Sequence, residues 1–96
     1  MIKRRGGGLP VGDGRVGVPL DGDPTSAWVA ALRDALAEQR PDDDVWQHAV
    51  ANVSADKVND VPHLMFLTSG HGDANFLVMY VRPIDVAIEA ANLKAP

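Results

Sequence analysis

Apolar and polar positions first fall into order at Arg15-Val16-Gly17-Val18-Pro19-Leu20, where Val16, Val18 and Leu20 alternate with other residues. A period of two places alternate side chains on one side of the backbone and predicts a half-buried strand. Pro19 has no N–H to donate, so the strand is expected at a sheet edge or to end there. Asp21-Gly22 signals a turn, and the period then changes. Trp28, Ala31, Leu32, Ala35 and Leu36 recur at the spacing of one helix face, with Arg33, Asp34, Ala37 and Glu38 on the wet side. Asp23-Pro24 offers a cap and a first-position proline, while Pro41 and the Asp42-Asp43-Asp44 run stop the helix.

Residues 45 to 55 fit two periods. As a helix, Val45, Trp46, Ala49, Val50 and Val53 make a stripe; as a strand, Trp46, His48, Val50 and Asn52 share a face. The strand is preferred, because Val and Trp favour it and Val61 to Thr68 reads as a strand able to pair with it. Asp56 to Asp60 then forms the hairpin connection. The last quarter also forks. Phe76 to Val81 reads as a strand, followed by a helix from Pro83 carrying Ile84, Ala87, Ile88 and Ala91. Alternatively one long helix, capped by Asp73, aligns Phe76, Tyr80, Ile84 and Ile88 at four-residue spacing, at a cost of about 3 kcal/mol for Pro83 in its interior. That penalty tips the expectation toward the strand.

The N-terminal residues 1 to 12 show no period and contain three consecutive glycines, which predicts a flexible tail ahead of a single domain over residues 13 to 96. The fold class expected is α+β, a two-layer β-α-β-β-(β)-α arrangement. Its antiparallel sheet has three or four strands with two helices on one face, and it matches the ferredoxin-like arrangement in element order only.

Composition agrees with one globular core: 96 residues, 46% hydrophobic and 23% charged. No apolar run, Phe76 to Val81 included, exceeds six residues, against the roughly 20 of a membrane span. Gly6-Gly7-Gly8 stands where the apolar part of a signal peptide would follow the basic start, so a cytoplasmic location is expected. With no cysteine, disulfides, thiolate nucleophiles and Cys-type zinc sites are excluded. Thirteen acidic and nine basic residues give a net charge of −4. Since Lys3, Arg4 and Arg5 supply three of those nine basic residues, the remaining chain carries −7. A body this acidic repels phosphate backbones and leaves the basic tail, Lys3, Arg4 and Arg5, as the only place for nucleic acid; no membrane partner is expected.

Candidate chemistry is sparse. His48, His63 and His71 lack helical zinc spacing, and although His48 and His63 would face each other across the expected hairpin, no metal and no cofactor is expected. Asp21-Gly22-Asp23 and Asp42-Asp43-Asp44 lack the spacing of a calcium loop. The most site-like stretch is Ser69-Gly70-His71-Gly72-Asp73, whose glycines allow close ligand approach. There His71, Asp73 and Ser69, with His48, are the candidate ligand-binding or acid–base residues of a small enzyme. An apolar sheet presenting Trp46 and Val50 outward would instead be covered by another chain. The function expected is accordingly a non-enzymatic interaction or accessory domain, self-associating as a homodimer through sheet edge or face, with the His71 loop as the alternative.

Overall fold

Two seven-residue strands lie at the centre of the molecule, and everything else is arranged on them. The computed structural model describes residues 1–12, 14–68 and 73–95. In chain order these form β1 (Lys3–Arg4), β2 (Leu9–Gly12), β3 (Arg15–Asp21), α1 (Ser26–Gln39), α2 (Asp44–Ala51), β4 (Ser54–Val58), β5 (Val61–Leu67) and α3 (Asp73–Lys94). The sheet is antiparallel in the order β1-β3-β5-β4, with β2 also on β3. The α+β class and the rough order of strand, helix, two strands and helix are those the sequence predicts, but among the described residues there are three helices instead of two and five strands instead of three or four.

β3 is an interior strand, although it contains Pro19. The side of β3 away from β5 carries two short strands: β1 opposite Leu20 and Asp21, and β2 opposite Arg15 to Gly17. Pro19 falls in the break between them. Its carbonyl accepts from the Arg5 N–H at 2.8 Å on that side. A strand residue presents N–H and C=O to the same neighbour, so the donor that Pro19 lacks would have pointed into the break. The sequence expectation of an edge or strand end at Pro19 is corrected by this interruption.

Those two short strands come from the residues expected to be a tail. Ile2 is buried against the core, and its N–H and carbonyl are both bonded to the side chain of Asn92 on α3, at 3.2 and 2.8 Å. Arg4 makes a two-pronged ion pair with Asp85 of α3, at 2.8 and 3.0 Å.

Four further expectations change. The cap of α1 is Thr25, whose hydroxyl accepts from the Trp28 N–H at 3.1 Å, two residues beyond Asp23. Residues 44 to 51 are the helix α2, not a strand. Asp43 caps α2 by accepting from the Trp46 N–H at 3.0 Å, so one member of the triple Asp has a defined structural part. The strand pairing with β5 starts only at Ser54, and the connection narrows to Asn59-Asp60. Both of these residues have positive φ, 52° and 66°, as a two-residue hairpin of right-handed twist requires. Lastly, residues 75 to 82 are helical, because α3 runs unbroken through Pro83. Phe76, Tyr80, Ile84, Ala87, Ile88 and Ala91 are all buried along one stripe of α3. At about 1.5–3 kcal/mol for each large side chain, that burial exceeds the proline penalty.

The helices cover the sheet face formed by Val16, Val18, Leu20, Leu64 and Phe66. Trp46 closes the core from α2. Its ring lies 4.9 Å from that of Tyr80, 6.2 Å from Phe76 and 6.5 Å from Phe66, and its indole N–H donates to the Leu36 carbonyl at 2.8 Å. Trp46 and Val50, expected to face a partner, are therefore buried within this chain; as part of a helix rather than a strand, they point inward together.

Candidate functional site

The expected site residues do not converge. His48 is exposed in the last turn of α2, while His63 is buried in β5, so they do not face each other across a hairpin. The His63 Nδ1 lies 2.7 Å from the Val61 carbonyl; a carbonyl only accepts, so that nitrogen carries a proton and is committed to the backbone. Asp73 is the first residue of α3, whereas Ser69 and His71 lie outside the described residues. Among the described residues no three His, Asp or Glu side chains are placed to hold a metal ion.

Two polar clusters that the sequence reading missed join distant elements. At one end, Asn92 Oδ1 accepts from the Trp28 indole N–H at 2.9 Å as well as from Ile2, tying α1, α3 and the N-terminal residues together. Asn92 also lines a cleft of about 390 Å³ with Met1, Ile2, Gly22, Thr25 and Trp28. Both ends of its amide bond to the chain, and Asp23, exposed, is the charged residue of the lining. At the other end, the Tyr80 hydroxyl donates to Asp43 Oδ2 at 2.8 Å, and the Arg40 guanidinium lies 5.7 Å from the Tyr80 ring centre. The Trp46 N–H and the Tyr80 hydroxyl hold the Asp43 carboxyl below its ordinary pKa; burial, followed by the Asp43 bond, raises that of the Tyr80 phenol. A Thr, Asp or Asn next to a helix start is a legible cap, but partners 37 and 64 residues away in sequence are not.

Polar chemistry inside the molecule is thus occupied: among the described residues every buried side-chain nitrogen and oxygen has a hydrogen-bond partner. The surface is less complete. Of the six large apolar residues exposed among the described residues, four lie on α3: Val78 at 78%, Met79 at 62%, Val86 at 44% and Leu93 at 84%. At 3.6 residues per turn they fall with Arg82 and Glu89 within a sector of about 100°. The buried stripe of α3 lies on the opposite side of the helix. An ordinary surface helix presents charged and polar residues there; α3 presents an apolar strip holding one cation and one anion.

The sheet offers less. Its β4 edge exposes Asp56 and Lys57, charges that oppose pairing with another strand, and its other edge is cut into β1 and β2. On the face away from the core, a Cβ at Gly17 would lie 3.0 Å from Val11, 3.2 Å from His63 and 3.4 Å from Met65, so these side chains close over the glycine. No helix among the described residues is long and apolar enough to cross a membrane. The chain matches no family model, no curated protein and no solved structure.

Proposed function

We propose that this is a non-enzymatic protein-interaction domain whose binding surface is the outer face of α3. The observation that carries this reading is the strip Val78, Met79, Val86 and Leu93, exposed on a helix whose other side is fully engaged in the core. Large apolar side chains gathered on one exposed face gain free energy when a partner removes them from water, at about 25 cal/mol per Å².

A photo-reactive side chain at position 86 tests the reading against one at Asp34, exposed on α1. Position 86 is expected to give a discrete adduct in cells that disappears when Leu93→Glu is added to the same chain, while position 34 gives none. Equal labelling from both positions, or an adduct indifferent to Leu93→Glu, would remove α3 as the binding surface.

A further inference from the structure

The partner of the α3 strip is, we infer, a second copy of the same chain, packed antiparallel to it about a two-fold axis at Val86. The inference rests on the interaction reading and adds the identity and direction of the partner. Its basis is the spacing of the strip. Met79 and Leu93 each lie seven residues from Val86, so at 1.5 Å of rise per residue both are about 10.5 Å from it along the helix. An antiparallel copy centred on Val86 therefore places Met79 against Leu93 of the other chain, Leu93 against its Met79, and the two Val86 side chains against each other.

The charges obey the same symmetry. Arg82 lies four residues before Val86 and Glu89 three after it. In the antiparallel pair each Arg82 falls beside a Glu89 of the other chain, offset by about 1.5 Å. Two crossed ion pairs then flank the axis. A parallel pair would set Arg82 against Arg82 and Glu89 against Glu89, so the charges select the direction. Met79, Arg82, Val86, Glu89 and Leu93 also follow the alternating three- and four-residue steps of a helix seam, which keeps the strip facing its partner along the contact. One surface patch that complements itself is what a two-fold dimer needs. A lipid surface suits the strip less well, because Glu89 and Arg82 sit in its middle instead of at a cationic border.

Sedimentation equilibrium of the intact chain, from about 1 to 300 µM, is the primary test. The wild type is expected to dimerise and Val86→Glu to remain monomeric with unchanged circular dichroism, since Val86 faces solvent in the single chain. Arg82→Glu and Glu89→Arg are each expected to weaken dimerisation at least tenfold, and the double swap to restore most of it. The absence of cysteine permits a second, geometric test: Met79→Cys and Leu93→Cys chains, mixed and mildly oxidised, should link 79 to 93 in preference to 79 to 79 or 93 to 93. A wild type monomeric throughout, a dimer indifferent to Val86→Glu, or a predominance of like-to-like links overturns the inference. If the wild type is monomeric while position 86 still gives an adduct lost on Leu93→Glu, the second-copy assignment fails and the interaction reading stands. If neither association appears, both fail.

Discussion

Asp43 shows how a single residue can serve two elements. One carboxylate oxygen caps α2 through the Trp46 N–H and the other accepts from Tyr80 on α3. Because its pKa is lower in the fold than in the unfolded chain, its ionised form stabilises the protein. That contribution is fully present above the unfolded value, about pH 4, and is lost as pH falls through the lower folded value. Asp43→Asn keeps an accepting oxygen but not the charge. Urea unfolding is expected to show the variant less stable than wild type at pH 7, with the gap closing below about pH 4. Tyr80 has the opposite sign: its raised pKa means that its stabilisation is present below about pH 10 and lost above it. At the other end of the molecule, Asn92→Ala would leave the Trp28 indole and the Ile2 backbone without partners. A loss of about 2–3 kcal/mol is expected, with faster hydrogen exchange concentrated in β1.

Among the elements, those with a clean period were legible. The β3 alternation, the α1 stripe and the apolar β5 all appear where the sequence puts them, within a residue or two of their ends. The segments fitting two periods resolved through contacts outside themselves. Val45, Trp46, Ala49 and Val50 suit a strand or a helix by spacing; the helix places the Trp46 ring among Phe66, Phe76 and Tyr80, which come from two other elements. For α3 the local cost of Pro83 was the stronger signal until the whole stripe from Phe76 to Ala91 was buried against the sheet and α1. The Asn59-Asp60 turn can be tested directly. Asn59→Val puts a β-branched side chain at a φ of 52°, and a destabilisation of about 1–2 kcal/mol is expected in thermal or urea unfolding. Asn59→Gly is expected to keep or slightly raise stability.

For the molecule as a whole, the inferred dimer couples folding to concentration. Only the folded chain presents the α3 strip as one surface, so association would stabilise the native state by mass action. The melting temperature of the wild type is therefore expected to rise with protein concentration in calorimetry, and that of Val86→Glu to stay constant. The candidate site was legible only in part. The expectation of self-association rests on apolar residues in excess of a one-sided sheet, with Trp46 and Val50 on a strand over residues 45 to 55. Folding them as α2 turns both inward, and the excess instead lies on α3, whose outer face exists only once residues 73 to 94 form a continuous helix.

Composition and period alone determined a small α+β domain, an acidic body without thiol chemistry, one amphipathic helix and the strands over Arg15–Asp21 and Val61–Leu67; the interior place of the first of these was a tertiary outcome. The elements themselves follow from local rules, because a repeat of two or 3.6 residues fixes which side chains share a face. Tertiary structure decided the rest: the N-terminal residues as strands, α2 as a helix, α3 as unbroken, and the apolar strip left on its outside. Each depends on contacts between residues far apart in sequence, such as Ile2 with Asn92 and Asp43 with Tyr80. Their combined burial and hydrogen bonding outweigh glycine entropy, the strand preference of Val and Trp, and the proline penalty that local reading must weigh without them.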